Sequence, residues 1–292
     1  MAGHDTYEPP PRPRPRIETG ISRRQLLRLR LTDAAREDID YDSVTRRVQA
    51  GWDRAGHDRL LRAVEPVSDV VAELAALTPG MRVLDVGAGD GNLALACTRR
   101  GAAVEACDLA PSMVEHGQAR CPAARWTVAD AQALPYPDES FDAVLSTFGA
   151  VLAPRARRAA EELVRVARPG SLVGMTAWVP RGLPGRLDEL VETLAPLPTG
   201  VRSPREWGRQ EVVGRRLSRL LEGLEVRLRT VALRFDSPDA LFEALLAPTP
   251  LSAGHREALR PDLDRLLASC NDGAPAVALS ARYLIALGRR PS

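Results

Sequence analysis

A cluster of glycines directly after a short apolar strand limits what this chain can become more than any other feature: Val83-Leu84-Asp85-Val86-Gly87-Ala88-Gly89-Asp90-Gly91-Asn92-Leu93. Glycine lets a backbone turn sharply and come close to a ligand, and the helix that follows offers unpaired N–H groups at its N-terminus. A strand–turn–helix junction of this kind suits a nucleotide-like ligand. The dinucleotide fingerprint G-x-G-x-x-G needs glycine at position 92, where Asn92 stands, so the match to NAD is incomplete and the spacing is G-x-G-x-G. Asp85 precedes the first glycine in an otherwise apolar strand, where a carboxylate without a partner is costly. A cationic ligand or a ring of loop N–H groups would satisfy it.

The segments downstream alternate between strand and helix patterns. Arg82–Val86 reads as a first strand, Val104–Cys107 as a second, Trp126–Val128 as a third, Phe141–Ser146 as a fourth and Leu172–Ala177 as a fifth. Helices are expected from Gly91 to Arg100, from Pro111 to about Ala119, and after Pro154, with Pro169-Gly170 closing the last. Repeated units of this length imply a parallel sheet covered by helices on both faces. Further on, helices are expected near Leu187–Leu194, Gln210–Leu221, Pro238–Leu246 and His255–Leu267, and strands at Val226–Leu233 and Ser280–Leu287. Asp108 ends the second strand about twenty residues beyond the glycines, where an acid can accept hydrogen bonds from both ribose hydroxyls.

The amino-terminal part has a different character. Residues 1–20 carry Pro9-Pro10-Pro11-Arg12-Pro13-Arg14-Pro15-Arg16 and are expected to be a disordered tail. From Ile21 to Leu77 apolar residues recur at three- and four-residue steps, which predicts a helical cover for the domain that follows. That domain runs from 78 to 292, with a helical insertion at about 181–221.

Charge narrows the partners. The 40 basic residues, all arginine, and the 38 acidic ones leave a net charge of +2 and are spread along the chain, so neither nucleic acid nor a membrane surface is expected as a partner. Cys97, Cys107, Cys121 and Cys270 lack zinc-ligand or disulfide-framework spacing, so no metal is expected and the thiols suit a reducing cytoplasm. Ser22-Arg23-Arg24-Gln25-Leu26-Leu27 resembles a twin-arginine export signal, but Arg28, Arg30, Asp33 and Arg36 follow where an apolar stretch is required. His116 and His255 are expected at the surface, and Trp178 and Trp207 either in the core or lining a pocket.

Five blocks in order resemble the class I S-adenosylmethionine-dependent methyltransferases, in the small-molecule branch near quinone-biosynthesis and natural-product tailoring enzymes. They are Asp85-x-Gly87-x-Gly89-x-Gly91, Cys107–Met113, Ala129–Pro135, Ser140–Val144 and Arg165–Gly170. The resemblance implies a Rossmann-like, seven-stranded, mostly parallel α/β sheet with an antiparallel last strand. It also implies S-adenosyl-L-methionine as cofactor. On that reading the glycine loop holds the methionine end and Asp108 holds the ribose, with Asp85, Gly87, Ala88, Gly89, Gly91, Leu109 and Met113 all counted among the cofactor-binding residues. Asp130 then takes the adenine amino group beside Ala131, and Ser146 to Gly149 face cofactor and acceptor. Gly51-Trp52-Asp53-Arg54-Ala55-Gly56-His57 is similar to a family segment that closes over the sulfonium and usually has tyrosine in place of His57. Trp52 is thereby a cofactor contact, and His57 is either a lid residue that packs or hydrogen-bonds as the tyrosine would or a candidate general base, because histidine titrates near neutrality.

The expected activity is methyl transfer to an oxygen or nitrogen of a small molecule or natural product, with a peptide acceptor also open. Two other readings stand beside it: a cofactor-binding regulatory protein of the same fold, and a nicotinamide-dependent oxidoreductase. A nucleic-acid methyltransferase would usually show an Asn/Asp-Pro-Pro-Tyr type motif after the fourth strand, where Ser146-Thr147-Phe148-Gly149 stands.

Overall fold

A computed structural model describes residues 39–54, 56–268 and 276–292. The expectations for the proline-rich tail, for most of the helical pattern before Ile39 and for Cys270 lie outside them.

Two helices come first, α1 (Tyr41–Trp52) and α2 (Asp58–Leu74). The Asp40 side chain caps α1 by accepting from Ser43 N at 2.9 Å. Alternating strands and helices follow: β1 (Arg82–Val86), α3 (Asn92–Thr98), β2 (Ala103–Asp108), α4 (Pro111–Arg120), β3 (Arg125–Val128) and β4 (Phe141–Ser146). A 3₁₀ turn at Ala150–Leu152 leads to α5 (Ala156–Val166) and β5 (Ala167–Trp178). Then come α6 (Leu183–Leu194), a 3₁₀ turn at Pro204–Gly208, α7 (Gln210–Leu217), β6 (Glu222–Phe235), α8 (Pro238–Leu246), α9 (Ala253–Ala268) and β7 (Val277–Arg289).

The seven strands form one sheet in the order β3-β2-β1-β4-β5-β7-β6. Strands β1 to β5 pair in parallel, and β7 runs antiparallel to both of its neighbours, β5 and β6. This is the expected architecture. The outer strands are longer than their apolar patterns: β6 starts at Glu222 rather than Val226, because its first half alternates charged residues on exposed positions. For the same reason β5 starts at Ala167, where the polar Arg168-Pro169-Gly170-Ser171 interrupts the pattern.

Alternation along the strands divides the core. Val83, Leu145, Ala106, Leu233 and Ile285 face one side, where Val67, Val71 and Leu93 of α2 and α3 cover them. Leu84, Val86, Val144, Cys107 and Leu284 face the other, against Leu163 and Val166 of α5 and Val213 of α7. A central strand buried on both faces must be apolar throughout, and in β1 the four residues after Arg82 are all fully buried. Asp85 is the exception in chemistry, and it sits at the end of β1 that leads into the glycine turn. Strand order reverses between β1 and β4, which opens a crevice at the carboxyl ends of the strands.

Candidate functional site

That crevice is a cavity of about 240 Å³, where a single water needs ~10–15 Å³. It is therefore sized for a ligand. Its wall follows the sheet order: Asp130 and Ala131 after β3, Asp108 and Leu109 at the end of β2, Asp85 to Gly89 at β1, Thr147 to Gly149 after β4, and Trp178 at the end of β5. Helices close it from outside through Thr45, Val48 and Trp52 of α1, Leu60, Leu61 and Val64 of α2, and Leu187 and Asp188 of α6.

The floor is set by two glycines in contact. A Cβ on Gly149 would lie 2.3 Å from the Gly87 carbonyl oxygen, and one on Gly87 2.6 Å from the Gly149 Cα. Gly87 also has φ +65°, so no other residue fits there without strain. Next to this contact, Phe148 holds a left-handed φ of +62°, a conformation that a bulky residue keeps only when its surroundings enforce it. Its N–H donates to Thr176 Oγ1 at 3.0 Å, and its ring stacks on Trp178.

Three acids punctuate the strand side of the wall. Asp85 is fully buried and neither carboxylate oxygen has a partner. Burial, helped by the charge of Asp108, pushes its pKa up to about 8. Asp108 Oδ2 accepts from Gly89 N at 2.8 Å and Oδ1 from Ala110 N at 3.0 Å. Burial still raises its pKa, with those amides opposing. Asp130 accepts from Gln132 N at 2.8 Å and from Gln132 Nε2 at 2.8 and 3.0 Å. Gln132 carries the network on: its Nε2 reaches Thr45 Oγ1 at 3.2 Å and its Oε1 accepts from Arg155 N at 2.9 Å. Gln132 thus ties the third acid to α1, a role within the Ala129–Pro135 block that the sequence did not single out.

The expected site residues divide into those on the wall and those behind it. Trp52, Asp85, Gly87, Ala88, Gly89, Asp108, Leu109, Asp130 and Ala131 line the cavity. Gly91, Met113, Ser146 and His57 do not. Gly91 begins α3 with φ +96° and packs toward the Trp126 ring. Met113 is buried on α4. Ser146 is a buried brace: its Oγ donates to Val86 O at 2.7 Å and accepts from Ala150 N at 2.9 Å, clamping β1 to the loop after β4.

Of the two roles open to His57, lid packing and general base, the structure shows the packing contact. The residue is 1% exposed, neither ring nitrogen has a partner, and it lies behind Trp52 at 4.8 Å between ring centroids. Burial lowers its pKa, so it is neutral. Its position braces Trp52 and does not face the cavity. Trp178 lines the cavity, whereas Trp207 is fully buried beneath Arg216. His116 and His255 are exposed. Asn92, in the place of a third glycine, donates to Leu61 O at 2.7 Å and accepts from Arg120 at 2.7 Å, fastening α2 over α3.

Fold and wall together define a Rossmann-like domain with a ligand cavity at the carboxyl ends of its strands. The chain matches the methyltransferase-domain family over residues 83–170. An uncharacterised protein of Mycobacterium tuberculosis is 35% identical over 231 residues, covering 75% of this chain and 81% of that one. A demethylmenaquinone methyltransferase of Beutenbergia cavernae is 38% identical over 134 residues, covering 44% and 52%. Among solved structures, phosphoethanolamine N-methyltransferase 2 of Haemonchus contortus, in complex with phosphomonomethylethanolamine and S-adenosylhomocysteine, superposes with a TM-score of 0.55. That match, 18% identical, covers 84% of this chain and 60% of the other. The chain belongs to the class I S-adenosylmethionine-dependent methyltransferases.

The residues fit that cofactor. Asp85 offers an unpartnered buried carboxylate to a cation such as the ammonium group, and the Gly87–Gly89 turn brings backbone to the wall. Asp108 and Asp130 are acceptors held in place from behind, suited to hydroxyl and amino donors.

Proposed function

We propose that the chain transfers a methyl group from S-adenosyl-L-methionine to an oxygen or nitrogen of a small acceptor, with Asp108 holding the ribose, Asp130 the adenine amino group and Asp85 the methionine ammonium. The observation that carries this reading is the order of the cavity wall. Asp85, Asp108 and Asp130 occupy the β3-β2-β1 side, and the β4-β5 side carries the rings of Phe148 and Trp178, with Leu187, Asp188 and Arg205 on the helical wall facing it. A cofactor on the first side leaves the second for an acceptor.

When bound, S-adenosylmethionine supplies a methyl carbon already activated by positive charge, so the protein's work is alignment and exclusion of water. Trp52, Leu60 and Leu61 cover the cavity and keep solvent out. The Gly87–Gly149 contact holds the β1 and β4 loops together, and Ser146 locks that spacing. The free buried thiols of Cys97, Cys107 and Cys121 support a cytoplasmic setting. Among the described residues no helix is long and apolar enough to cross a membrane.

The test is methyl transfer from labelled cofactor to a panel of hydroxyl and amine acceptors, beside calorimetric binding of S-adenosylmethionine and NAD. Transfer to any small acceptor, with micromolar cofactor binding and no NAD binding, is expected. Cofactor binding without transfer to any acceptor would point to a regulatory protein.

A further inference from the structure

The helical wall of the cavity holds a carboxylate that cofactor binding does not use. Asp188 projects from α6 and lines the cavity with Pro184, Leu187, Pro204 and Arg205. Among the described residues no hydrogen bond or ion pair is made by this carboxylate. The cation that acts on it is Arg205, and that guanidinium is already bonded to Glu192 at 2.5 Å and faces Glu189 at 3.7 Å. Glu192 in turn repels Asp188. Asp188 is thus an enclosed acid, open toward the cavity, whose local positive charge is spent on its neighbours.

Burial in this wall lifts the Asp188 pKa to about 7, with Arg205 opposing and Glu192 adding to the rise. A carboxylate of that strength is far more basic than an exposed one and is still ionised in part at neutral pH, the condition sought in a general base.

We propose that the acceptor is an aromatic compound bearing a hydroxyl group, bound beside the Phe148–Trp178 stack, and that Asp188 receives the hydroxyl proton during methyl transfer. The inference rests on the methyltransferase reading and specifies its acceptor. Oxygen is favoured over nitrogen because a carboxylate stabilises an amine in its protonated form, which has no lone pair to donate, whereas a hydroxyl must shed its proton. In the step, the acceptor oxygen gives its proton to Asp188 and forms a bond to the methyl carbon. The carbon–sulfur bond breaks and its electron pair stays on sulfur. Charge balances: a sulfonium and a carboxylate become a thioether and a carboxylic acid.

The test reads recognition apart from turnover. Wild type, Asp188→Asn and Asp188→Leu, each saturated with S-adenosylhomocysteine, are titrated by fluorescence with 1-naphthol, 2-naphthol and their methyl ethers at about pH 8, where an acid of pKa near 7 is ionised and a naphthol keeps its proton. Wild type should prefer the free hydroxyl over the ether by tenfold or more, and both variants should lose the preference while still binding the ethers. Equal binding of hydroxyl and ether to wild type, a preference retained in the variants, or no binding by either pair overturns the proposal. In methyl transfer, Asp188→Asn should lose about 10²- to 10⁴-fold in kcat/KM, and with it the fall in rate that wild type shows below about pH 7. Transfer to amines but to no hydroxyl refutes Asp188 as base and leaves the methyltransferase reading standing. Transfer to no acceptor of either kind refutes that reading itself.

Discussion

Phe148 lies face to face with Trp178, 4.0 Å between ring centroids and 11° between planes, and Tyr283 meets both rings edge-on at 6.0 and 6.3 Å. The stack borders the side of the cavity proposed for the acceptor and is anchored by a left-handed backbone at Phe148, so its loss should separate acceptor from cofactor. Phe148→Ala is expected to raise the acceptor KM at least tenfold and to leave cofactor affinity within about threefold. It should destabilise the fold by roughly 1–3 kcal/mol, given a half-buried ring and the loss of its contacts with Trp178 and Tyr283. Thermal melts with acceptor saturation curves check this, and a cofactor affinity that falls as far as the acceptor's would place the stack on the wrong side.

Asp108 accepts from two backbone amides before any ligand arrives, which fixes its direction. Asp108→Ala should weaken binding of S-adenosylmethionine and of its demethylated product alike, by about ten- to a hundredfold or roughly 1.5–3 kcal/mol for a charged hydrogen bond. Titration calorimetry on the folded variant decides it; unchanged affinity removes this acid from the ribose role.

Asp85 makes a pH prediction whose sign follows from its raised pKa. The free protein holds this carboxyl protonated at neutral pH, because its folded value of about 8 lies above the ordinary one. Between pH ~4 and ~8 the unfolded chain can release that proton and the folded chain cannot, so Asp85 lowers stability as pH rises through this window. Asp85→Asn should flatten the decline. A cationic cofactor group selects the ionised form, so at pH 7 binding should release up to about one proton and tighten toward pH 8. Calorimetry in buffers of different ionisation enthalpy measures the release. No buffer dependence in wild type, or the same dependence in Asp85→Asn, would deny this acid the ammonium.

Gly149→Ala tests the floor. The added carbon would meet the Gly87 carbonyl oxygen at 2.3 Å, backbone against backbone, so one loop must move. A cost of about 1–3 kcal/mol is expected, a fall in Tm of roughly 2–12 °C for a chain of this size. Cofactor affinity should drop tenfold or more with it.

The sequence shows the sheet clearly because β1, β2 and β4 are largely buried on both faces and so read as short, mostly apolar runs. The three wall acids are legible for a related reason: each stands at a strand end, where a charge breaks an apolar run. Asp188 is not legible. It lies among Glu189 and Glu192 on a helix that reads as ordinary and amphipathic, and only the docking of α6 over the strand ends turns it inward. His57 was open to two roles, because the family segment around Trp52 names a neighbourhood and not a direction; the start of α2 sets the two rings against each other, with Trp52 on the wall. Ser146 was expected at the ligand, yet a buried hydroxyl takes the nearest carbonyl, and Val86 supplied it.

The position of β7 bears on how the chain reaches this state. Strand β6 joins the sheet only through β7, which is made more than forty residues later and slides in between β5 and β6. During synthesis, residues 222–235 lack their native partner strand until 277–289 leave the ribosome. Strand β5 waits with an open edge over the same interval, a template for pairing with other chains. The last strand therefore acts as a latch, and growth conditions that slow its arrival, or substitutions in it, should show up first as aggregation of nascent protein and only afterwards as a lower melting temperature of the finished fold.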